Sequence, residues 1–340
     1  MKYDFVFLTN LPAFYKLNLY NAIAKEKNIF VAFIGNDAEI RNEDFFKGEK
    51  QFPFISLMNR GRCGKLFYLL RLLFAVKTQY FVLGGWDNVY MWIGWLLIPP
   101  EKIAVVVESS YLESMLYGLR GRLKKIFLKK VSLVYASGYS QTKLVRDGGF
   151  KGKVIVTKGV GLFNMVEKPE FRLPRFIENF VYVGRLSPEK NLDLLINVFN
   201  ELPQYNLNII GFGPLEHELK SMAKRNIIFY GAVENKELPV HYSHNDVFIL
   251  PSISEPWGMV VEEALNNALP VIVSDRVGCV EEIVKNDCNG IVFRYNDPVS
   301  LKNAIIKITN LEYYMSLKKN VMEMDFKDIA RRQIKCYTNL

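Results

Sequence analysis

Residues 246–274 of the chain have the sequence DVFILPSISEPWGMVVEEALNNALPVIVS. The stretch begins with a predicted strand, Asp246–Leu250, and ends with a second one, Pro270–Ser274, and each contains a continuous apolar run. Between them, a loop containing proline, serine and glycine leads into a predicted helix, Val260–Asn267. Apolar runs without alternation are typical of strands in a parallel sheet that helices cover on both faces. The stretch therefore predicts a strand–loop–helix–strand unit of an α/β fold.

The same alternation continues on both sides of this unit and predicts a doubly wound sheet in the second half of the chain. The further predicted strands are Phe180–Val183, Leu207–Ile210, Ile227–Tyr230 and Gly290–Phe293. The further predicted helices are Asn191–Asn200, Leu215–Arg225, Lys236–Ser243 and Val280–Lys285.

The first half has a similar pattern. Its predicted strands are Tyr3–Leu8, Phe30–Ile34, Phe81–Leu83, Ile103–Val107, Leu133–Ala136 and Val154–Thr157, and its predicted helices are Leu17–Lys25, Phe67–Val76 and Leu119–Lys130. We therefore expect two Rossmann-like domains, residues 1–160 and 178–312, with ligands in a cleft between the carboxyl ends of both sheets. Residues 160–178, with two prolines and no periodicity, are predicted as a linker. A last helix within about 313–340 is expected to pack back on the first domain.

Composition supports a globular protein of two domains. The chain has 340 residues, of which 50% are hydrophobic and 23% charged; disordered chains lack this much apolar material. The four cysteines (Cys63, Cys279, Cys288 and Cys336) have no CxxC spacing, so we expect reduced thiols in a cytosolic compartment and no zinc site. The first residues do not resemble a signal peptide, and the apolar segment Val89–Pro100 is too short to span a bilayer as a helix.

Positive charge is concentrated in the first half. Residues 1–170 contain 25 Lys and Arg against 14 Asp and Glu, whereas the rest of the chain contains 19 against 21. Gly118–Lys130 alone carries six cations, with Leu119, Leu123, Ile126 and Phe127 predicted on one helical face, and Lys65–Lys77 is similarly mixed. Such helices can lie on an anionic membrane, although simple solubility, or a core helix with a basic outer face, would give the same pattern. No nucleic-acid-binding module is visible, so nucleic acid is not an expected partner.

Two glutamates flank the start of the predicted helix in the opening stretch. Glu255 lies on the loop after a strand, and Glu263 lies about one turn inside the helix. The free backbone amides at a helix start attract an anion, and a carboxylate nearby can accept hydrogen bonds from sugar or ribose hydroxyls. A solvated pair of glutamates that complements the helix dipole is the alternative.

Two cations follow the first strand of the second domain. Arg185 and Lys190 lie just after Gly184, where the backbone can approach a ligand closely. Fixed cations at the carboxyl end of a strand could neutralise a leaving diphosphate. Ordinary surface charges are the alternative.

Both segments resemble one known family. The pattern S-x-x-E-P-W-G-M-V-x-x-E-A from Ser252 to Ala264 resembles the E-x7-E motif of glycosyltransferase family 4, whose members are retaining enzymes of GT-B fold, and YVGRLSPEKN at 182–191 is similar to the family's G-R-L-x-x-x-K-N segment. The resemblance implies that Glu263 binds the ribose and that Glu255 lies beside the donor sugar. It also implies that the backbone of Gly258, Met259 and Val260 contacts the diphosphate or sugar hydroxyls. Glu262 is expected at the surface.

Weaker matches lie between these motifs. Gly211 and Gly213 form a predicted tight turn that would let the backbone approach the donor, although a plain turn needs no function. The segment 229–233, ending at Val233, resembles the family segment that lies against the base. The resemblance covers residues 180–295 well and the first half by architecture alone.

The first half also departs from the family. Its first loop lacks the glycine pair of many relatives, so its contacts differ; Asn10 is the candidate for donor binding there. All three histidines lie in the second half, and the position after Ile103–Val107 offers Glu108. Glu108 could bind substrate hydroxyls or deprotonate the acceptor, or it could have a structural role at a helix start. No DxD motif is present, so we expect neither a metal ion nor another cofactor.

These features together predict a retaining glycosyltransferase. The expected donor is a nucleotide-diphosphate sugar, and the expected acceptor is a lipid-linked or polysaccharide glycan of O-antigen, capsule or lipopolysaccharide type. The expected location is the cytoplasmic face of the inner membrane. Two alternatives remain open, namely a nucleotide-sugar epimerase or hydrolase of related fold and a non-catalytic nucleotide-sugar-binding protein.

Overall fold

The computed structural model describes residues 2–35, 42–170 and 174–340. The chain divides into two compact units, the first made of Met1–Phe163 with Asp328–Leu340 and the second of Asn164–Lys327. Within the described residues, no helix combines the length and the apolar content that crossing a membrane requires.

The first unit is built on a seven-stranded parallel sheet in the order β3-β2-β1-β4-β5-β6-β7. Its strands are β1 (Lys2–Thr9), β2 (Ile29–Phe33), β3 (Phe54–Ser56), β4 (Lys77–Leu83), β5 (Ile103–Val107), β6 (Leu133–Ala136) and β7 (Lys153–Val156). Its first helices are α1 (Phe14–Ala24), α2 (Arg62–Ala75), α3 (Val89–Leu97), α4 (Gly118–Lys129) and α5 (Tyr139–Asp147).

The second unit is built on a six-stranded parallel sheet in the order β10-β9-β8-β11-β12-β13. Its strands are β8 (Asn179–Val183), β9 (Asn206–Ile210), β10 (Ile227–Gly231), β11 (Val247–Leu250), β12 (Val271–Ser274) and β13 (Gly290–Phe293). Its helices are α6 (Leu192–Asn200), α7 (Glu216–Met222), α8 (Leu238–Ser243), α9 (Met259–Asn266), α10 (Val280–Ile283), α11 (Pro298–Ile308) and α12 (Leu311–Glu323).

Both sheets have the doubly wound order that the alternation predicts. In each, the strand order reverses beside a central strand, between β1 and β4 in the first unit and between β8 and β11 in the second. The residues of β11 and β12 are all buried, which explains why these strands are continuously apolar in the sequence. The prediction of two Rossmann-like parallel sheets is confirmed.

The structure divides the chain differently from the predicted linker. Residues from Asn164 onwards belong to the second unit. The amide of Asn266 donates to the Val166 carbonyl over 3.1 Å, and Lys168 Nζ donates to the carbonyls of Val321 and Met322 over 2.6 and 2.9 Å. Side-chain hydrogen bonds in both directions thus tie this irregular segment to α9 and α12 of the second unit.

The predicted last helix is in fact two helices. α12 ends before Met324, whose backbone is extended, and α13 covers Phe326–Thr338. Lys168 satisfies the last carbonyls of α12, so the helix can end there. From Asp328 onwards the chain belongs to the first unit, where the ring of Tyr337 stacks on Tyr135 with centroids 4.4 Å apart.

Candidate functional site

Two loops of the second unit meet at the point where its strand order reverses. The strands β8 and β11 are parallel neighbours, so the loops that follow them leave the sheet at the same edge. The first loop runs from Gly184 to Asn191 and the second from Pro251 to Gly258. Ligands of doubly wound sheets bind at this kind of edge.

An ion pair joins the two loops. The ammonium of Lys190 binds the carboxylate of Glu255, although the two residues are 65 positions apart in the chain. Only 13% and 14% of the two side chains are exposed to solvent, so water screens the pair weakly. The sequence predicts both residues as functional, and the structure brings them into direct contact.

The backbone fixes this contact from both sides. A 3₁₀ turn, Pro188–Lys190, ends at Asn191 in a left-handed conformation with φ 57°. The Asn191 amide donates to the Pro251 carbonyl over 3.2 Å, and Ile253 N donates to the Glu189 carbonyl over 2.9 Å. Lys190 is therefore held in place by its own turn and by the opposite loop.

Arg185 lies at the entrance of the first loop. The buried Tyr182 hydroxyl donates to the Arg185 carbonyl over 2.7 Å and fixes its backbone. Its guanidinium contacts a Glu189 carboxylate oxygen at 3.1 Å, and the Ser187 hydroxyl donates to the same oxygen over 2.6 Å. The Arg185 side chain remains 41% exposed to solvent.

The glycines at this edge serve close packing between loops. Gly211 has φ 135°, and a Cβ on it would lie 1.8 Å from the Gly184 carbonyl oxygen. A Cβ on Gly213 would lie 2.5 Å from the Leu186 carbonyl oxygen, and one on Gly184 would lie 2.6 Å from the Tyr182 hydroxyl. Gly211 and Gly213 are thus required by the backbone of a neighbouring loop, whereas a Cβ on Gly184 would meet the Tyr182 side chain of its own segment.

Gly258 begins helix α9. Its φ of 93° is in the left-handed region, and a Cβ there would lie 2.8 Å from a methyl group of Val277. No side chain caps the helix start. The amides of Met259 and Val260 lie in the first turn, where backbone N–H groups have no acceptor within the helix. The three residues therefore form a helix start suited to an anion.

Glu263 lies one turn further along α9, near the buried Tyr242 of α8. Burial, and then the carboxylate of Glu263, raise the pKa of the Tyr242 hydroxyl well above its usual value. Val233 follows β10, which is separated from β8 by β9. Glu263 therefore lies close to the start of α9, and Val233 lies further along the same edge of the sheet.

The surface position expected for Glu262 is wrong. The residue is 4% exposed, and one of its carboxylate oxygens accepts the indole N–H of Trp257 over 2.7 Å. Burial, together with the neighbouring Glu263, raises the pKa of Glu262 to about 8 despite the hydrogen bond. Glu262 lies on the face of α9 turned toward the core, where a buried tryptophan needs an acceptor for its N–H.

In the first unit, Glu108 follows β5 and forms an ion pair with Lys16 of α1. The Gln141 amide donates to the Glu108 backbone carbonyl over 3.0 Å, which holds the turn after the strand. Glu108 lines a small cavity of about 170 Å³ together with Asn10 and Tyr20. The Asn10 amide oxygen also accepts from the Asn88 side chain over 3.2 Å.

Three residues of these sites were not predicted as functional: Lys16, Asn88 and Glu189. Lys16 lies 92 positions from its partner Glu108, so no local pattern signals the contact. Glu189 could have been found, since it lies between Arg185 and Lys190 and a 3₁₀ turn brings its carboxylate back to Arg185. Within the described ranges, no group of three or more His, Cys, Asp or Glu is placed to hold a metal ion.

Comparison with known proteins matches the second unit to a protein family. The family model described as glycosyl transferases group 1 matches residues 171–324. This range contains all the site residues of the second unit described above.

Two curated relatives match longer parts of the chain. An uncharacterized 41.2 kDa protein in the cps region of Klebsiella pneumoniae is 31% identical over 197 residues, which is 55% of this chain and 53% of that protein. The chain thus matches about half the length of that relative. The O-antigen biosynthesis glycosyltransferase WbnH of Escherichia coli is 30% identical over 283 residues, or 78% of each chain.

A solved structure matches the whole chain. The crystal structure of Anabaena Alr3699/HepE in complex with UDP and glucose superposes with a TM-score of 0.73 at 18% identity and covers 100% of both chains. At this identity the match concerns the fold. Together with the two sheets described above, it confirms the predicted GT-B fold.

Proposed function

Since the chain belongs to the group 1 glycosyl transferases, we propose that it is a retaining glycosyltransferase acting on a membrane-associated acceptor. The donor is a nucleotide-diphosphate sugar, and the acceptor is a lipid-linked or polysaccharide glycan of O-antigen, capsule or lipopolysaccharide type. The Lys190–Glu255 ion pair is the observation that carries the proposal. It places a cation for phosphate and a carboxylate for sugar hydroxyls side by side at the ligand-binding edge of a doubly wound sheet.

In this proposal the diphosphate binds between Arg185, Lys190 and the start of α9. Two side-chain cations and the amides of Met259 and Val260 converge on one edge, with Gly258 as a cap that carries no side chain. Negative charge develops on the diphosphate as the glycosyl–phosphate bond breaks. Prearranged donors of this kind stabilise the charge more in the transition state than in the ground state.

Glu255 positions the donor sugar. Its carboxylate is paired with the ammonium of Lys190. An incoming phosphate competes for the same ammonium, and the carboxylate is then released to accept hydrogen bonds from sugar hydroxyls. The ion pair thus keeps both groups in place until the donor arrives, which reduces the reorganisation needed on binding.

The nucleoside end of the donor lies along the rest of the same edge. Glu263 accepts hydrogen bonds from the ribose hydroxyls, and the segment ending at Val233 lies against the base. The tight packing of the loops at Gly184, Gly211 and Gly213 keeps this edge rigid.

The reaction is a front-face displacement without a metal ion or other cofactor. The acceptor oxygen forms its bond to the anomeric carbon on the face from which the diphosphate departs, and the acceptor proton passes to the departing phosphate oxygen. The sugar therefore retains its anomeric configuration. In the first unit, Glu108 binds the acceptor hydroxyl, with its carboxylate oriented by Lys16.

The first unit docks on the cytoplasmic face of the inner membrane. Support comes from α4, where Leu119, Leu123 and Ile126 share one face and are exposed, Leu119 to 75%. Phe127, predicted on that face, is buried instead. Exposed cations such as Arg122 alternate with the apolar residues, which is typical of helices that lie in a lipid interface.

Thermal-shift measurements with nucleoside diphosphates and their sugars test the donor site. A ligand at 100 times its Kd stabilises the native state by about 2.7 kcal/mol, so the correct nucleotide raises Tm by several degrees. The shift is lost in Arg185→Ala and kept in Arg225→Ala, which removes an exposed arginine elsewhere in the second unit. No shift with any nucleotide at millimolar concentration contradicts the proposal.

Product analysis separates transfer from the alternatives. A transferase consumes the nucleotide sugar only when a membrane fraction or lipid-linked glycan is present, and the sugar appears in the glycan. Release or isomerisation of the sugar without an acceptor identifies a hydrolase or epimerase. Binding without turnover identifies a binding protein.

A further inference from the structure

Glu189 lies between the two cations of the proposed diphosphate site. It is four residues after Arg185 and directly before Lys190, in the loop that follows β8. A carboxylate carries the same sign of charge as a diphosphate, so at this position it opposes binding of the donor through space. A carboxylate beside both cations is therefore expected to serve one of them in another way.

The Glu189 carboxylate binds the side chain of Arg185. Its Oε1 oxygen accepts an N–H of the Arg185 guanidinium (Nη2) over 3.1 Å. The 3₁₀ turn Pro188–Lys190 brings the carboxylate back to the guanidinium, so the contact forms within the loop itself. A hydrogen bond between a guanidinium and a carboxylate is charge-assisted and stronger than one between neutral groups. Glu189 therefore limits the orientations that the long Arg185 side chain can adopt.

The carboxylate is in turn held by its own segment. The hydroxyl of Ser187, a buried residue, donates to the same Oε1 oxygen over 2.6 Å. Burial raises the pKa of the Glu189 carboxyl, but the bond from Ser187, the Glu189 backbone amide and the charges of Arg185 and Lys190 outweigh this effect and hold the pKa below its usual value. Glu189 is thus ionised at neutral pH and is a fixed partner for Arg185.

The backbone of this loop is fixed independently of the Glu189 carboxylate. The Tyr182 hydroxyl donates to the Arg185 carbonyl over 2.7 Å, and the Glu189 carbonyl accepts from Ile253 N of the opposite loop over 2.9 Å. A substitution of the Glu189 side chain leaves the groups that make both contacts in place. It therefore tests the orientation of the guanidinium and not the path of the loop.

The chemistry of a guanidinium allows Glu189 and a phosphate to be bound together. Arginine carries five N–H donors on a planar fork, so one edge can hold a carboxylate while another binds phosphate oxygens. The ammonium of Lys190 is a point charge by contrast, and a phosphate competes with Glu255 for it. The two carboxylates thus act differently, since Glu189 orients a cation whereas Glu255 is exchanged for phosphate.

We infer that Glu189 is a positioning residue, which holds the Arg185 guanidinium in the orientation that binds the leaving diphosphate. Ser187 supports this role by fixing the carboxylate. The inference rests on the proposed function, since it concerns the same leaving group. A cation that is oriented before the glycosyl–phosphate bond breaks stabilises the transition state without further reorganisation. The role of Glu189 is therefore expected in turnover more than in nucleotide affinity.

A double-mutant cycle tests whether Glu189 acts through Arg185. Glu189→Gln is nearly isosteric, and it is expected to lower kcat about tenfold, as for the loss of one charge-assisted hydrogen bond. In the Arg185→Ala background the same substitution should change kcat less than about twofold, because the guanidinium that it orients is gone. An equal tenfold loss in both backgrounds overturns the inference.

Ser187→Ala approaches the same contact from the other side. It removes the hydroxyl that fixes the carboxylate, and kcat is expected to fall about threefold. In the Glu189→Gln background Ser187→Ala should have no further effect on kcat. A further loss there would show that Ser187 acts independently of Glu189 and would remove it from the proposed arrangement.

Nucleotide affinity, measured by calorimetry, separates positioning from competition. Glu189→Gln is expected to bind nucleoside diphosphates about two- to threefold more weakly, because a disordered guanidinium has to be ordered on binding. Tighter binding would show that the carboxylate competes with phosphate for Arg185, contrary to the inference. The control is Glu216→Gln, which breaks a matched pair on α7, where Glu216 and Lys220 are also four residues apart and are joined over 2.7 Å. It should leave affinity and turnover unchanged.

Nuclear magnetic resonance of the full chain without added ligand gives a readout that needs neither nucleotide nor acceptor. The guanidinium Nε–H signal of Arg185, assigned by its loss in Arg185→Ala, is expected in the wild type and in Glu216→Gln. It should broaden or disappear in Glu189→Gln, because the side chain is no longer held. An unchanged signal in Glu189→Gln refutes the positioning role. If no nucleotide binds to the wild type, the proposed function fails, while this spectrum still tests whether Glu189 orients Arg185.

Discussion

The indole N–H of Trp257 donates to a carboxylate oxygen of Glu262 over 2.7 Å, and both side chains are buried. The bond ties the loop that carries Glu255 to helix α9, which carries Glu263. This buried bond therefore fixes the spacing between the two proposed donor-binding glutamates. Its strength depends on pH, because burial and the neighbouring Glu263 raise the pKa of Glu262 to about 8.

Glu262→Gln is expected to flatten the pH dependence of stability. A carboxyl whose pKa rises from 4.5 to about 8 on folding stabilises the native state fully below pH 4.5, and this contribution is lost as pH rises to about 8. The wild-type free energy of unfolding then falls by up to about 1.4 kcal/mol per pH unit relative to the variant. Urea unfolding followed by circular dichroism between pH 5 and 8 measures both curves; parallel curves would contradict the raised pKa.

Glu255→Gln is expected to separate binding from turnover. Without the carboxylate, Lys190 is available to phosphate and a negative charge near the diphosphate is removed, so nucleoside diphosphates bind about 3- to 10-fold tighter. Turnover falls about 100-fold or more, because the donor sugar loses its positioning group. Lys190→Gln weakens nucleotide binding and also lowers turnover. Calorimetry measures nucleotide affinity and initial rates measure turnover, with Glu281→Gln, at an exposed position, as the control variant. Weaker nucleotide binding in Glu255→Gln would argue against competition between Glu255 and phosphate for Lys190.

Gly211→Ala is expected to destabilise the second unit by about 3 kcal/mol or more. The added Cβ would lie 1.8 Å from the Gly184 carbonyl oxygen, and the φ of 135° is unfavourable for alanine. Gly231→Ala is the matched control, since its φ of 72° is also positive but nothing lies within 4 Å of the new Cβ. It should cost about 1–2 kcal/mol. Equal losses in chemical denaturation would show that loop packing is not what requires Gly211.

Serine substitution at Leu119, Leu123 and Ile126 together is expected to weaken binding to anionic phospholipid vesicles by about tenfold or more. These side chains are exposed on one face of α4, so the fold should be unaffected, while their transfer into the lipid interface is lost. A control variant with serine at Val240 and Val299 removes exposed apolar residues from the second unit. Vesicle sedimentation at low and high salt measures both; unchanged binding of the triple variant would exclude α4 from the docking surface.

The order of strands and helices could be predicted because buried parallel strands leave long apolar runs. The elements that could not be predicted are ones that leave no such pattern in the sequence. β3 (Phe54–Ser56) has three residues with no buried side chain, so it leaves no apolar run. α3 is apolar on nearly all sides and shows no helical period. The helices α5 and α11 were also not predicted from the sequence, although α11 has a clear N-cap at Asp297.

The residues of the candidate site could be predicted, but their contacts could not. Motif spacing identified Lys190 and Glu255 separately, and their ion pair depends on two loops meeting at the reversal of strand order. The pairing of Lys16 with Glu108 likewise depends on the tertiary fold, which brings the first turn of α1 beside the end of β5. The burial of Glu262 was missed because its motif neighbour Glu263 suggested a solvated helix face, while the signal was the tryptophan five residues earlier.

The return of α13 to the first unit imposes an order on biosynthesis. A ribosome synthesises all seven strands of the first sheet before it makes the second unit, and it adds Tyr337 after both sheets. Until then, the face of Tyr135 that Tyr337 stacks on is uncovered in the nascent chain. Completion of the first unit therefore waits for residues that are made after the second unit, whereas the second unit can finish folding earlier.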